Sequence, residues 1–323
     1  MKILLIGSNG QVGWELARTL LPLGEVVALN RDQADLTDLE TLRQTVQTIR
    51  PNVIVNAAAY TAVDKAETER NLAFLINAQA VEVLAKEAKK LNALLIHYST
   101  DYVFNGTKDA PYVENDATNP LNVYGESKLA GELAIQASGA DYLILRTTWV
   151  FAARGNNFVK SILRLAAERD ELNIVADQIG APTWARLIAE TTAHIIRQAQ
   201  QERGAKTFES GIFNLTSAGE TSWHGFAEKI VELKHIPPAP LQMGEANKNS
   251  LAPFEGGGAI ARGGCFKDED IRCVINPIPT SDYPTPAKRP ANSRLSTERL
   301  TQRFGLTMPT WETTLKLCLE EIK

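Results

Sequence analysis

The sequence has few cysteines, no excess of basic charge and no long apolar run, and each absence excludes a class of protein. Its three cysteines, Cys265, Cys273 and Cys318, are odd in number and form no C-x-x-C pair, which argues against a disulfide framework or a zinc site. Lysine and arginine number 34 against 38 acidic residues, a net charge of −4, which does not fit a nucleic-acid-binding surface.

No apolar run approaches the roughly 20 residues that a membrane-spanning helix needs. The first apolar segment, residues 3–6, follows one lysine and runs directly into glycines, so it is too short for the core of a signal peptide. The sequence therefore predicts a cytoplasmic protein with no membrane partner and no nucleic-acid partner. At 323 residues, the chain is long enough for a full core and about two domains.

Short apolar runs alternate with segments of helical periodicity along the first half of the chain. The runs predict strands buried on both faces at 2–6, 25–29, 52–57, 93–98 and 141–146. The segments between them predict helices at 12–22, 39–49, 70–91 and 121–138. This alternation is typical of a parallel sheet covered by helices on both faces, so we predict a doubly wound α/β (Rossmann) fold.

The second half is less regular and predicts a smaller, loop-rich C-terminal domain. Helices are predicted near 156–170, 184–203, 222–234 and 311–322, and strands at 172–175, 211–215 and near 271–275. Prolines and glycines are dense between 237 and 294, which is typical of loops. We predict a dinucleotide-binding domain over residues 1–150, rejoined by about 178–218, and a mainly substrate-binding domain over 151–323.

A glycine-rich turn joins the first predicted strand to the first predicted helix. Residues 7–13 read GSNGQVG; glycines let the backbone turn tightly and approach a pyrophosphate, and the helix N-terminus supplies amide donors. A glycine pattern alone also fits a mere tight turn, but its position between strand and helix favours a dinucleotide site. The candidate cofactor ligands here are Gly7, Gly10, Gln11, Val12 and Gly13.

The residues after the second predicted strand bear on which nicotinamide cofactor is used. An acidic side chain at this point typically holds the ribose hydroxyls, but this chain has Asn30 and Arg31. Asn30 can still bond a ribose hydroxyl, and Arg31 can pair with a 2′-phosphate, which favours NADPH and leaves NADH as the alternative. Arg31 also fits a solvated side chain at a strand end. Asp35 and Leu36 follow in a loop that we expect to cover the adenine.

Tyr124 and Lys128 lie four residues apart on a predicted helix and so share one of its faces. A neighbouring ammonium favours a phenolate, so we expect Lys128 to lower the pKa of Tyr124 from its usual value of about 10. A tyrosine tuned in this way can donate a proton to a carbonyl oxygen as hydride reaches the carbon. The Y-x-x-x-K spacing is common on helices, but here it follows the fourth strand of a predicted dinucleotide fold.

Polar residues end the fourth predicted strand. Ser99, Thr100 and Asp101 fall at its carboxyl end, where an open α/β sheet binds its ligands. A hydroxyl at this position can hold a substrate carbonyl. Polar capping of the strand end is the alternative, and it suits Ser99 better than Thr100.

Together these motifs resemble the extended short-chain dehydrogenase/reductase superfamily, and longer stretches are similar to its dTDP-4-dehydrorhamnose reductase family. The stretches are NAAAYTAVDKAE (56–67), HYSTDYVFNG (97–106), PLNVYGESKLAGE (120–132), RTTWVF (146–151), DQIGAPT (177–183) and YPTPAKRPANSRL (283–295). The resemblance runs from Met1 to about Glu321 and weakens only between 241 and 275.

The resemblance implies an enzyme that reduces the C4 ketone of dTDP-4-dehydro-L-rhamnose to dTDP-L-rhamnose with hydride from NADPH or NADH. It implies Tyr124 as the proton donor, Lys128 as its ribose-binding and pKa-tuning partner, and Thr100 as the third catalytic residue. Two alternatives stand beside it. One is another nucleotide-sugar reductase or a 4-epimerase; the other is a non-catalytic regulatory subunit like that of methionine adenosyltransferase, which resembles the same family.

By position, the resemblance also assigns residues around the cofactor and the sugar. Those on the nicotinamide side are Ala59, Tyr60, Thr61 and Tyr98, and those at the substrate are Thr100, Asp101, Trp149 and Arg289. Trp149 presents an aromatic face to a sugar ring, although an ordinary core tryptophan is the alternative. Arg289 lies in a proline-stiffened loop, 283–295, and fits either a diphosphate ligand or a structural arginine.

The chain departs from the family pattern in two places. Some members resemble a magnesium-dependent dimer with three glutamates near the subunit contact, so a homodimer is one expectation. Glu15 and Glu321 match two of those glutamates, but Arg186 stands at the third place, and a cation there argues against a bound metal. Residues 245–273 form an extra segment, expected to be a surface loop, a lid or a subunit contact. The four histidines form no cluster in the sequence and are expected in core or surface roles.

Overall fold

Residues 1–234 and 273–322 are described by the structure, a computed structural model. The strands are β1 (Lys2–Ile6), β2 (Glu25–Leu29), β3 (Val53–Asn56), β4 (Leu94–Thr100), β5 (Asp141–Thr147), β6 (Val150–Phe151), β7 (Glu171–Val175), β8 (Ile179–Gly180), β9 (Thr183–Trp184), β10 (Gly211–Asn214), β11 (Thr221–Ser222) and β12 (Val274–Ile278). The α-helices are α1 (Gln11–Thr19), α2 (Leu39–Ile49), α3 (Val63–Ala66), α4 (Arg70–Phe74), α5 (Ala80–Leu91), α6 (Val123–Ala137), α7 (Phe158–Glu168), α8 (Ala185–Ala205), α9 (Trp223–Leu233), α10 (Glu298–Phe304) and α11 (Trp311–Glu321).

The five apolar runs of the first half pair with one another and with β10. They form a parallel sheet of six strands in the order β10-β5-β4-β3-β1-β2. The chain moves from β1 outward to β2 and then returns to the other side of β1 with β3, so the direction of winding changes between β1 and β3. Ligands of such sheets bind at the carboxyl ends of the strands beside this switch point. The predicted doubly wound α/β fold is confirmed.

The sheet buries apolar side chains on both faces, as the continuous apolar runs require. Ile3 and Leu5 point to one face, where they pack in a cluster with residues of α1 and α8. Leu4 and Ile6 point to the other, in a cluster with residues of α2, α5 and α6. Successive strand residues thus meet different helices, which explains why the sequence shows no polar alternation in these strands.

The predicted helix 70–91 differs in detail from the observed one. Helices α4 and α5 are joined by a π-helical turn over Leu75–Gln79. Helix α6 packs against this turn so closely that a Cβ on Gly131 would overlap the carbonyl oxygen of Asn77. A π-helical turn displaces a helix by one residue and is often found at functional sites.

Residues of the second half build a second apolar cluster and also return to the main sheet. Phe151, Phe226, Trp311 and Leu315 are buried together where β6, α9 and α11 meet. Strands β7 and β12 pair in parallel beside them. Strand β10, however, pairs with β5, and α8 packs on α1. The predicted domain boundary near residue 150 stays a prediction.

Part of the predicted loop region falls beyond the residues described. The extra segment 245–273 lies outside them except for Cys273, and so do His235 and Cys265. Cys273 and Cys318 are both buried in the second apolar cluster, and burial raises the pKa of each thiol. Of the helices in the described part of the chain, none is long and apolar enough to cross a membrane.

Helix α6 is tied to the sheet by a buried ion pair. Arg146 on β5 donates from Nε and Nη2 to the two carboxylate oxygens of Glu132, at 2.9 and 2.6 Å. Its Nη1 donates to the carbonyl oxygen of Glu114 at 3.1 Å. The Arg146 and Glu132 side chains are 3% and 0% exposed, so each charge depends on the other for compensation.

We expect Glu132→Leu to lower the free energy of unfolding by about 3–5 kcal/mol, because Arg146 would stay buried without its counter-charge. Urea denaturation measures the change. The double variant Glu132→Leu/Arg146→Met removes both charges, and we expect it to recover at least half of the loss. A single variant as stable as the parent would contradict this account of the ion pair.

Candidate active site

The glycine turn lies at the switch point of the sheet, against the ends of β2 and β3. Gly7 has a φ of +88°, a conformation that favours glycine, and its amide donates to the carbonyl oxygen of Leu29 at 2.9 Å. A Cβ on Gly7 would lie 2.7 Å from the amide nitrogen of Ala58, and one on Gly13 would overlap the carbonyl oxygen of Gly7. Helix α1 begins at Gln11, so its free amides point into this cradle.

The turn after β2 is shaped by its own polar side chains. Asn30 and Gln33 each accept a hydrogen bond from the other's backbone amide, at 3.2 and 3.1 Å. Asp35 accepts from the amide and hydroxyl of Thr37, and this backbone hydrogen bond lowers the pKa of its carboxyl group. Arg31 is 77% exposed and lies 3.7 Å from Asp35. Leu36 is buried in the apolar cluster beneath α2.

The loop after β3 is held through its backbone by Asn77, which the sequence analysis missed. Asn77 accepts from the amide of Tyr60 at 2.8 Å and donates to the carbonyl oxygen of the same residue at 3.0 Å. It also donates to the Ser127 hydroxyl on α6 at 2.9 Å. This places the loop of Ala59, Tyr60 and Thr61 in a fixed position relative to α6. The π-helical turn that carries Asn77 has no recognisable sequence signal.

The side chain of Lys128 projects from α6 toward β4 and is buried between them. Its Nζ donates to the carbonyl oxygen of Tyr98 at 2.7 Å and lies 3.2 Å from Nε2 of His97. Burial lowers the pKa of Lys128 to about 8. The ammonium is thus easier to deprotonate than that of an exposed lysine, whose pKa is about 10.4.

Tyr124 lies one turn before Lys128 on α6 and is only partly exposed. Burial raises the pKa of its phenol, and the charge of Asp101 raises it further, while a hydrogen bond with Thr100 opposes the shift. The expectation that Lys128 lowers this pKa is therefore wrong for this structure, in which Nζ is bonded to Tyr98. A phenol with a raised pKa keeps its proton at neutral pH and is a weaker acid than an unshifted phenol.

Thr100 and Asp101 end β4 beside this phenol. The Thr100 hydroxyl donates to Oδ1 of Asp101 at 3.0 Å and accepts from the amide of Tyr102 at 3.2 Å. Asp101 is 3% exposed; burial raises its pKa to about 6, although Ser293, Thr100 and Thr148 lower it. Its Oδ2 has no hydrogen-bond partner in the structure. The Ser99 hydroxyl is buried without a hydrogen-bond partner, so the alternative of strand-end capping fits Thr100, which bonds the amide of Tyr102, rather than Ser99.

The side chain of Tyr98 points to the other face of the sheet. Its hydroxyl lies 2.8 Å from the Thr192 hydroxyl of α8, and its ring packs against the cluster shared with α1. Burial raises the pKa of Tyr98. Tyr98 therefore meets α6 through its carbonyl oxygen, which holds Lys128, and its predicted contact with the cofactor stays a prediction.

Trp149 and Arg289 are both engaged with other side chains. Trp149 has a φ of +47° and stacks on Trp223, with ring centroids 3.7 Å apart and planes at 15°. Gly180 lies against its ring, so closely that a Cβ there would be 2.6 Å from it. Arg289 donates from Nη2 to Asp64 at 2.8 Å, while its Nε is buried without a partner.

Asn122 connects the predicted substrate loop to α6, and the sequence analysis missed it as well. As the N-cap of α6, its side chain accepts from the amide of Gly125 at 2.8 Å. Its Nδ2 donates to the carbonyl oxygen of Lys288 at 2.8 Å. The pattern N-x-x-G before a helix is a weak cap signal, and only the fold shows the second contact.

The residues at the place of the family's magnesium site do not fit a metal ion. Arg186 donates from Nε to Glu15 at 3.1 Å and from Nη2 to Glu321 at 3.1 Å, and its Nη1 also bonds Glu321. A guanidinium thus lies between the two carboxylates that were expected near a metal. Because a cation already compensates both charges, this arrangement joins α1, α8 and α11 without an ion.

We expect Asp101→Asn to raise the free energy of unfolding at pH 8 by roughly 2–3 kcal/mol, because the folded protein holds this carboxyl at a pKa of about 6. A raised pKa means that the parent loses stability as pH rises from about 4 to about 6. The gain should therefore nearly vanish at pH 4. Urea denaturation at both pH values measures it, and an equal gain at each would contradict the raised pKa.

Comparison with known proteins places this arrangement in one family. A family model described as the RmlD substrate binding domain matches residues 1–323. A dTDP-4-dehydrorhamnose reductase of Burkholderia thailandensis is 53% identical over all of this chain and 99% of its own length. Among solved structures, a dTDP-4-dehydrorhamnose reductase of Clostridium acetobutylicum has a TM-score of 0.81 at 32% identity, over 99% of both chains.

A second solved structure carries a bound cofactor. The dTDP-4-dehydrorhamnose reductase of Bacillus anthracis, in complex with NADP, has a TM-score of 0.80 at 31% identity and also covers 99% of both chains. The sequence relative and both structures match over nearly their whole length, so the similarity is not confined to the nucleotide-binding half. The chain belongs to the dTDP-4-dehydrorhamnose reductase family.

Proposed function

We propose that this protein reduces the C4 ketone of dTDP-4-dehydro-L-rhamnose to dTDP-L-rhamnose with hydride from NADPH. The observation that carries the proposal is the grouping of Tyr124, Thr100 and Lys128 at the end of β4, on the same edge of the parallel sheet as the glycine turn that follows β1. Family membership supplies the substrate class, since the relative that is 53% identical bears the name of this reductase.

The glycine cradle fits a dinucleotide because its backbone lies where a Cβ would collide. When bound, the nicotinamide cofactor supplies the hydride. Gly7, Gly10 and Gly13, with the amides of Gln11 and Val12, would hold the pyrophosphate. We assign the adenosine end to Asn30, Arg31, Asp35 and Leu36, and the nicotinamide side to Ala59, Tyr60, Thr61 and Tyr98. Lys128 is assigned to the nicotinamide ribose.

Tyr124 donates its proton to the C4 oxygen of the sugar as hydride reaches C4. The phenol carries its proton at neutral pH, as a donor must, and the hydrogen bond with Thr100 partly opposes the rise in its pKa. Thr100, already hydrogen-bonded to Asp101, is assigned to orient the carbonyl and the phenol. Family membership favours the reductase over the epimerase alternative, because the relative that is 53% identical over the full chain is named as a reductase.

The sugar nucleotide is assigned to Trp149, Asp101 and Arg289. Asp101 offers a buried oxygen, Oδ2, that has no other hydrogen-bond partner. Arg289 has an unpartnered Nε for a phosphate oxygen while Asp64 holds its Nη2. We further propose a cytoplasmic homodimer; sedimentation velocity of the purified protein tests the dimer.

We expect Tyr124→Phe to lower turnover by about 10²–10⁴-fold, because the variant keeps the ring but lacks the proton. Loss of NADPH absorbance in the presence of dTDP-4-dehydro-L-rhamnose measures turnover. Fluorescence titration with NADPH serves as the control, and we expect an unchanged affinity. A variant that retains a tenth of the parent turnover would remove Tyr124 from the proposed role.

Arg31→Ala tests the cofactor preference. We expect KM for NADPH to rise about tenfold, since a charged hydrogen bond to the 2′-phosphate contributes about 1.5 kcal/mol. KM for NADH, which lacks that phosphate, should stay within about twofold in the same variant. Steady-state kinetics with both cofactors gives the comparison, and equal effects on the two would show that Arg31 does not contact the phosphate.

A further inference from the structure

A chain of three hydrogen bonds runs beneath the candidate active site and ends on Lys128. The amide of Ala58 donates to Oδ1 of Asn56 at 3.2 Å, which fixes the orientation of that side-chain amide. Nδ2 of Asn56 lies 3.2 Å from Nδ1 of His97. Nε2 of His97 lies 3.2 Å from Nζ of Lys128. Asn56, His97 and Lys128 are each no more than 2% exposed, so these contacts are shielded from bulk solvent.

The hydrogen bond from the Ala58 amide to Asn56 determines which atom donates in each of the other two hydrogen bonds. Because Oδ1 of Asn56 is used by a backbone amide, the atom that faces His97 is the donor Nδ2. Nδ1 of His97 must therefore accept, and the ring carries its hydrogen on Nε2. That hydrogen points at Nζ of Lys128, which can accept it only as a neutral amine.

Protonation of Lys128 would set two donors against each other in a buried site. The conflict could be relieved only by moving the histidine hydrogen to Nδ1, where it would face the Nδ2 hydrogens of Asn56. The cost of either arrangement disfavours the lysine ammonium. We propose that His97 is a positioning residue for Lys128: its ring, fixed by Asn56, donates to Nζ and favours the neutral amine.

The other groups around Lys128 do not supply this effect. The charge of Glu132, one turn along α6, favours the ammonium, but both of its oxygens are held by Arg146 of β5. From β4, the carbonyl oxygen of Tyr98 accepts from either form of the lysine. Tyr124 on α6 is neutral at pH 7, and burial keeps the pKa of His97 well below its usual value, so the ring is neutral too.

The inference rests on the proposed function only for its kinetic consequence. If Lys128 binds the cofactor ribose as an ammonium, His97 sets the pH above which that charge is lost. The arrangement of hydrogens itself requires no activity and can be measured in the protein without substrate.

The first test is the position of the ring hydrogen, read from ¹⁵N chemical shifts and two-bond ¹H–¹⁵N couplings of protein labelled with ¹⁵N-histidine. The His97 signal is assigned from three single variants, His194→Gln, His224→Gln and His235→Gln, because it is the histidine signal present in all three spectra. We expect a neutral ring with its hydrogen on Nε2 at pH 9, above the pKa of about 8 of Lys128, where the amine can accept that hydrogen. A hydrogen on Nδ1 would overturn the proposal whether or not the protein is a reductase.

Asn56→Asp tests the same chain while His97 stays in place. The carboxylate can only accept, so we expect the ring hydrogen to move to Nδ1. An unchanged hydrogen on Nε2 in the folded variant would show that Asn56 does not fix the ring.

The second test is the pH dependence of kcat/KM in His97→Gln. A glutamine carbonyl can accept from the ammonium, so we expect the basic limb, near pH 8 in the parent, to move upward by about one unit. His194→Gln makes the same change on an exposed position of α8 and should leave the limb in place. An active His97→Gln variant with an unmoved limb would overturn the proposal. Absence of activity in the parent would instead count against the proposed function, and the NMR result would still decide the role of His97.

Discussion

The candidate active site depends on how polar groups are buried between α6 and the sheet. Glu132 pairs with Arg146, Lys128 reaches the carbonyl of Tyr98, and Ser127 receives a hydrogen bond from Asn77. Apolar packing alone would allow the helix to slide or rotate by a fraction of a turn. Directed bonds to fixed partners restrict these motions, so the phenol of Tyr124 has a defined place above β4.

Two opposite electrostatic environments follow from this burial. A buried phenol beside a carboxylate keeps its proton, whereas the ammonium of Lys128 gives its proton up more easily because it is buried. The protein therefore raises the pKa of Tyr124 and lowers that of Lys128, and both shifts favour the neutral form of the side chain. Binding of a charged dinucleotide beside them would shift both pKa values again. The charge of the site therefore depends on the bound cofactor as well as on the protein.

The sequence predicted the fold well because its apolar runs are continuous and its glycine turn stands in an unambiguous context. The bounds of β1, β2 and α2 match the predicted ranges, since each is ended by glycine, proline or a polar turn. It also gave the candidate site residues, Tyr124 and Lys128 from their local spacing and others, such as Trp149 and Arg289, from the family resemblance, and their roles stay predictions. What it could not supply were contacts between distant segments: Asn77 to the loop after β3, Asn122 to Lys288, and His97 to Lys128. The direction of the Tyr124 pKa was wrong for the same reason, since burial is a tertiary property.

The glycines of α6 have a consequence for how this family can vary. A Cβ at Gly125 would overlap the carbonyl oxygen of Tyr102, and one at Gly131 would overlap that of Asn77. Both obstacles are backbone atoms, which no change of side chain elsewhere can remove. Evolution and laboratory selection alike must therefore keep glycine at these two positions, whereas Trp149 and Arg289 are held by other side chains, those of Trp223 and Asp64, which substitution can change.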